Sequence, residues 1–362
     1  MNFKFLSFLF FSKNLPSPVT IVPGFGGSVI YNHENSVLWP PKVIDFINYP
    51  QYFHTIGVHY EKNQFVKNTD TKVGPIGDLE GIKIINKWLA PIVRHNYYDD
   101  LLHELHEKYC KECLYGLPYD FRIIGNKDYR KVFYQDLKLY FENLEKKHDK
   151  KSVIITHSFG GLVIHDFLSK QTPQWVDRYI RKVIFVSCPW GGTVNALKLI
   201  LSEKLHIRSI QKEIFIPFIK YYSCLLLLLP NPFFNPDGVI YENKKNDVKI
   251  HEIAKYFKND TIISNQKLHF DDMLLSLQKK PDVPYHIVFG TDNITPIKLV
   301  QYGSEIQFAY GNGDGVIEKE SLLGFQKWDA ENISYHILES EEHTRILKSP
   351  KFFKLLKSFL EF

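Results

Sequence analysis

Val153-Ile154-Ile155-Thr156-His157-Ser158-Phe159-Gly160-Gly161 runs directly into Leu162-Val163-Ile164-His165-Asp166-Phe167-Leu168, and the order of residue types here decides the fold. A short apolar strand meets a tight turn with a serine at its apex, and a helix leaves the turn. That arrangement is a nucleophile elbow. The turn lifts the Ser158 hydroxyl off the sheet edge, and the N-terminus of the new helix aims backbone N–H groups at developing negative charge. Gly160 and Gly161 stand where the helix must press against the strand. Thr156 is a departure, because glycine is commonest two residues before the nucleophile and a β-branched side chain has to be fitted there. A serine hydroxyl alone is a poor nucleophile, so the elbow demands a base and an oxyanion site nearby.

Outward from the elbow, residues 19–22 read as a short buried strand ended by Pro23-Gly24-Phe25-Gly26-Gly27-Ser28. Residues 183–186 read as another, ended by Ser187-Cys188-Pro189-Trp190-Gly191-Gly192. Helical spacing of apolar residues covers 97–110 and 131–147, and a last amphipathic helix spans 350–362. Further strands are expected at 285–289 and 333–338. Strands alternating with helices predict a mostly parallel sheet covered on both faces, an α/β-hydrolase fold. The core would be residues 18–192 and 281–362. Residues 31–60 read as an aromatic loop around Leu38-Trp39-Pro40-Pro41, and 193–280 as an inserted cap where the α/β rhythm stops.

In this fold the acid and the base follow the serine along the chain, on loops after late strands. His336 lies inside an alternating strand, whereas His343 follows it in Glu339-Ser340-Glu341-Glu342-His343-Thr344, so His343 is the expected base. Asp292 and Asp314 compete as the orienting acid. Asp314 is preferred, because Gly313-Asp314-Gly315 supplies the tight turn and backbone donors that a buried carboxylate needs. The N–H of Phe159 and one from the Pro23–Gly26 loop, on Phe25 or alternatively Gly26, would form the oxyanion hole.

Composition sets wider bounds. A net charge of +5 spread along the chain gives no basic stripe of the kind nucleic acid requires. Four cysteines do not define a disulfide scaffold, and Cys110-Lys111-Glu112-Cys113 has no second pair to complete a zinc site. No metal or organic cofactor is expected. Residues 1–17 resemble a minimal secretory signal or anchor, and sequons at Asn259, Asn293 and Asn332 fit a secretory route. No stretch is long and apolar enough for a membrane span.

Five motifs then fall in order: Ile21-Val22-Pro23-Gly24-Phe25-Gly26-Gly27, Pro118-Tyr119-Asp120-Phe121-Arg122, His157-Ser158-Phe159-Gly160-Gly161, Pro189-Trp190-Gly191-Gly192 and Gly313-Asp314-Gly315-Val316. Together they resemble the lecithin:cholesterol acyltransferase family, over residues 18–347. The resemblance implies a serine-dependent phospholipase A or O-acyltransferase acting at a phospholipid or membrane surface, through an acyl-enzyme. The acceptor would be water or a lipid alcohol, and the compartment secreted or an endolysosomal or vacuolar lumen. It places the nucleophile on Ser158, the acid on Asp314, the base on His343, the oxyanion donors on Phe25 and Phe159, a mobile lid around Trp39, and a lipid-track cap on 193–280. Two family disulfides have no counterpart, since no cysteine lies between residues 29 and 109 and none near Asp314. A carboxylesterase of small soluble esters and a non-catalytic lipid-binding protein are the competing readings.

Overall fold

A computed structural model describes residues 16–41, 45, 49–82, 98–201, 219, 221–243, 246–258, 261–264, 266–303 and 305–361. The signal-like residues 1–15, the sequon at Asn259 and residues 202–218 of the expected cap lie outside the described residues. The strands are β1 (Val19–Val22), β2 (Ile30–Asn32), β3 (Val37–Trp39), β4 (Val58–Glu61), β5 (Gln64–Lys67), β6 (Thr71–Val73), β7 (Leu114–Gly116), β8 (Ser152–His157) and β9 (Ile180–Val186). They continue with β10 (Val239–Glu242), β11 (Asp247–Lys249), β12 (Tyr285–Thr291), β13 (Asn293–Tyr302), β14 (Glu305–Gly313) and β15 (Ile333–Glu339).

Six of these form the central sheet in the order β15-β12-β9-β8-β1-β7, and every pairing in it is parallel. A parallel sheet is buried on both faces in its interior, which is why β1 and β8 are buried along their whole length while the edge strand β15 is largely exposed. Successive side chains still alternate between the faces. Val19, Ile21, Val153, Ile155, Ile184, Val186 and Val288 pack with α2 (Asp99–Lys108) and the helix Pro350–Leu360. Ile154, Val183, Phe185, Ile287 and Phe289 face the other way, toward α3 (Lys127–His148), α4 (Phe159–Ser169) and α5 (Pro173–Tyr179). Helix α3 begins four residues before the expected start because the Asn126 side chain caps it, accepting from the Asp128 and Tyr129 N–H groups.

Two expectations need correction. Residues 31–60 are not a plain loop. They contain β2, β3, α1 (Tyr49–Ile56) and β4, and β2 pairs antiparallel with both β3 and β6. The partner β6 lies some forty residues downstream, so no local pattern signals it. The second correction concerns the cap boundary at 280. The strands β10 and β11 join β13 and β14 in one four-stranded sheet, ordered β11-β10-β13-β14. The β13–β14 hairpin therefore belongs with the insertion's sheet, because β10 pairs with β13 rather than with the central strands.

The Pro-Tyr-Asp-Phe-Arg motif builds the junction between β7 and the residues around α1. Arg122 is fully buried and grips Asp120 with two bonds, Nε to Oδ1 at 2.9 Å and Nη2 to Oδ2 at 2.7 Å. It also donates to the Ile56 carbonyl at 2.8 Å and to Thr71 Oγ1 at 2.7 Å. Removing one partner of such a pair leaves a bare buried charge. Asp120→Ala is expected to lower unfolding stability by about 3–5 kcal/mol, read from urea denaturation.

Candidate active site

Ser158 stands between β8 and α4 with φ +52° and ψ −130°, a positive-φ geometry that a non-glycine residue adopts only where its surroundings force it. Its N–H donates to the Val186 carbonyl at 2.8 Å, and its own carbonyl accepts from the Gly161 N–H at 2.9 Å. Close packing explains the glycine that opens α4. A Cβ on Gly160 would lie 2.4 Å from the Pro23 carbonyl oxygen. Thr156, two residues before the serine, is fully buried, and its hydroxyl has no partner among the described residues.

The structure brings Ser158, His343 and Asp314 together from three separate loops. His343 Nδ1 lies 2.7 Å from Asp314 Oδ2, and His343 Nε2 lies 3.0 Å from Ser158 Oγ. An ionised carboxylate only accepts, so Nδ1 carries the proton and Nε2 presents its lone pair to the serine hydroxyl. Asp314 is fully buried, and its Oδ1 accepts from the Val316 and Ile317 N–H groups at 3.1 and 2.8 Å. Asp292, the competing acid, lies exposed in the β12–β13 turn at φ +65° and bonds Asn312 and Thr291. His336 sits on β15 with its ring 5.4 Å from Phe359.

Phe25 and Phe159 both stand at this end of the sheet. Phe159 is the first residue of α4, and Phe25 lines the cavity at Ser158. Neither N–H donates a hydrogen bond within the described residues. The loop that carries Phe25 is braced from several sides. Tyr119 Oη donates to the Pro23 carbonyl at 2.9 Å, Tyr98 Oη accepts from the Gly24 N–H at 3.3 Å, and Trp39 Nε1 donates to the Gly26 carbonyl at 2.7 Å. Trp39 thus sits behind the Gly26 alternative and is not among the described residues lining the cavity. The cavity measures about 300 Å³, and its walls are mostly apolar: Phe25, Ala196, Leu199, Leu225, Leu228, Val316 and Ile317.

Two residues whose part in the site the sequence did not show, His157 and Asn293, also belong here. His157 Nε2 donates to the His343 carbonyl at 2.9 Å, and burial, with His343 close by, pushes its pKa down to about 3. It therefore stays neutral beside the base. Asn293 Nδ2 donates to the Thr291 and Glu341 carbonyls and ties down the loop that carries His343. Away from the site, Asn332 Nδ2 bonds the Pro281 and Val283 carbonyls before the start of β12. The amide nitrogens of both sequons are thus committed to the fold. Motif reading has no means of finding these roles, since each depends on a carbonyl brought close only in three dimensions.

The Pro-Trp-Gly-Gly motif forms the neighbouring wall. Gly191 N–H bonds Ser321, and Ser321 Oγ donates to the Gly192 carbonyl at 2.6 Å. All four cysteines are free thiols, and no metal-binding group of His, Cys, Asp or Glu occurs among the described residues. Tyr119→Phe removes one brace of the Phe25 loop. About 1 kcal/mol of positioning energy is at stake, so an approximately fivefold slower reaction of Ser158 with an alkyl fluorophosphonate is expected, with the circular dichroism spectrum unchanged.

With this geometry in view, comparison with known proteins is informative. The sequence profile of the family described as lecithin:cholesterol acyltransferase matches residues 80–280. That span holds Ser158 and Phe159, while Phe25, Asp314 and His343 lie outside it. The chain is 26% identical to "Lecithin-cholesterol acyltransferase-like 1" of Arabidopsis thaliana, over 79% of this chain and 69% of that protein. It is 23% identical to "Lysosomal phospholipase A and acyltransferase" of Bos taurus, covering 82% of this chain and 75% of the relative. It is 22% identical to "Phosphatidylcholine-sterol acyltransferase" of Mus musculus, over 96% of this chain and 86% of that one. Among solved structures, a chain of the Tle4-Tli4 complex superposes with a TM-score of 0.59 at 11% identity, covering 96% of this chain and 98% of that chain. That likeness speaks to the fold.

Proposed function

The chain belongs to the lecithin:cholesterol acyltransferase family, and on that premise we propose that Ser158 cleaves a phospholipid ester and passes the acyl chain to water or to a lipid alcohol. The chain is a lipid acyl hydrolase or acyltransferase, as its relatives' names indicate. The observation that carries the residue assignment is the bonded series Asp314–His343–Ser158, opening into an apolar cavity.

In this reading His343 Nε2 takes the Ser158 proton as Oγ attacks the ester carbonyl. Asp314 holds the imidazole in the tautomer that keeps Nε2 free, and stabilises the imidazolium. The carbonyl oxygen becomes an anion facing the N–H groups of Phe25 and Phe159. A single such donor is worth about 3 kcal/mol of barrier. His343 then returns the proton to the lysophospholipid oxygen, which leaves. Water or a lipid hydroxyl, deprotonated by the same imidazole, attacks the acyl-serine and frees Ser158. The apolar walls around Leu225 and Leu228 accept the acyl chain and limit water at the acyl-enzyme.

Among the described residues no helix is long and apolar enough to cross a membrane. The reaction is proposed for a phospholipid surface in a secreted or endolysosomal setting; one relative's name states a lysosomal setting for that protein.

The test is mass spectrometry of products from phosphatidylcholine vesicles, with and without an added long-chain alcohol. Wild type is expected to release lysophospholipid together with free fatty acid, and to form the alcohol's ester when the alcohol is present. Ser158→Ala is expected to form none of these. Asp314→Asn should lower turnover by about 10⁴-fold, because the imidazole loses the partner that fixes its tautomer. Hydrolysis confined to monomeric short-chain esters would favour a soluble carboxylesterase. Absence of any Ser158-dependent product would favour a lipid-binding protein.

A further inference from the structure

Glu318 is a buried carboxyl that the reaction described above does not use. It follows the acid loop by four residues and is 8% exposed. One oxygen, Oε1, accepts from the Val194 N–H at 2.6 Å, at the start of α6 (Val194–Leu201). The other, Oε2, has no hydrogen-bond partner among the described residues.

Two more bonds run beside it. Thr193 Oγ1 and Asn195 Nδ2 both donate to the Val316 carbonyl, at 3.0 and 2.8 Å. The acid loop and the first turn of α6 are therefore joined by three contacts within a few residues. Both segments line the cavity at Ser158, Val316 and Ile317 from the acid loop and Asn195 and Ala196 from α6, and they adjoin along one edge of it. The acid loop also supplies the two N–H groups that hold the Asp314 carboxylate.

We propose that Glu318 is a positioning residue, held as the neutral acid, that clamps α6 to the acid loop and so sets both the width of the acyl cavity and the aim of Asp314 at His343. This rests on the catalytic reading of Ser158, Asp314 and His343. A neutral carboxylic acid keeps the Val194 contact, because its carbonyl oxygen still accepts from that N–H, and it places no charge at the buried Oε2 position. An ionised carboxylate would place charge in an apolar site against the Asp314 carboxylate. Burial, with the Asp314 charge adding to it, pushes the Glu318 pKa up to about 8. The other ionisable neighbours are Lys319, one residue on, and Glu320, on the rim of the adjoining cavity. From α6, the N-terminal N–H groups and the Thr193 hydroxyl face Glu318, and Lys198 lies over the Phe308 ring.

The sign follows from linkage. A glutamate whose folded pKa is raised stabilises the fold fully below its ordinary value near 4.5, and that contribution is lost as pH rises to about 8. Ionisation above pH 8 should also loosen the clamp.

The experiment measures the rate at which a long-chain alkyl fluorophosphonate labels Ser158 in the full chain across the pH range, alongside thermal midpoints. Glu318→Gln keeps the acceptor for Val194 and cannot ionise. It is expected to label at near the wild-type rate at pH 6 and to lack the decline that wild type shows near pH 8. Glu318→Ala should label about 10- to 100-fold more slowly at pH 6, the scale of a misaimed catalytic group. The wild-type thermal midpoint should fall relative to Glu318→Gln as pH rises between about 4.5 and 8. A Glu318→Gln profile that superimposes on wild type in both labelling and thermal midpoint would overturn the proposal, and this comparison holds even where Glu318→Ala does not fold. Wild-type labelling at Ser158→Ala would instead sink the catalytic reading, and the midpoint comparison would still decide whether Glu318 is held neutral.

Discussion

The catalytic end of this molecule depends on how closely backbone approaches backbone around Ser158. The serine turns at φ +52°, and α4 starts at once beneath the loop that follows β1. Only a residue without a Cβ fits at position 160, where the Pro23 carbonyl would stand 2.4 Å from that atom. The close approach packs the start of α4 against the loop that carries Phe25. Local strain of this kind persists only when its surroundings over-determine it, and here the surroundings are β1, β9 and the Tyr119 brace.

The motifs differ in what they do, and the structure separates them. The elbow and the Gly313-Asp314-Gly315 turn present reacting groups. The Pro-Tyr-Asp-Phe-Arg stretch reacts with nothing. Its tyrosine braces the Phe25 loop at Pro23, and its arginine spans from Asp120 to Ile56 and Thr71, locking the segment around α1 to the core. The Pro-Trp-Gly-Gly stretch similarly fastens the start of α6 to residues just beyond the acid loop. Two of the five motifs are therefore scaffolding for the other three.

What the sequence made legible was whatever a short window contains. The central strands are apolar runs with turn signals, and Ser158, Asp314 and His343 each sit in a local setting that suits its role. The acid and base were separable from Asp292 and His336 because one rival was placed in a turn and the other inside a strand. The second sheet was not legible. Its strands β10 and β11 are short, β13 shows no clean alternation of burial, and the pairing of β10 with β13 spans more than fifty residues. The same reason hid Glu318 and His157. A glutamate after a glycine turn reads as solvated, and only the arrival of α6 buries it. Trp39 was read as part of a lid because an aromatic loop is all that its neighbourhood shows in one dimension. In three dimensions its indole N–H is spent on the Gly26 carbonyl.

The bonded series Asp314–His343–Ser158 is assembled from two sheets, and this has mechanical consequences. Ser158 directly follows β8, an interior strand of the central sheet, and its N–H is held by the Val186 carbonyl of β9. His343 follows β15, which is the edge strand of that sheet and has a partner on one side only. Asp314 follows β14, which is the edge of the other sheet. Two edge-strand residues must therefore meet an interior one to within hydrogen-bond tolerance. The tethers around them offset this freedom. His343 N–H donates to the Asp314 carbonyl at 2.8 Å, His157 holds the His343 carbonyl, and Asn293 holds the Glu341 carbonyl. β14, the strand that leads into Asp314, is steadied on its paired side by β13, which in turn pairs with β10.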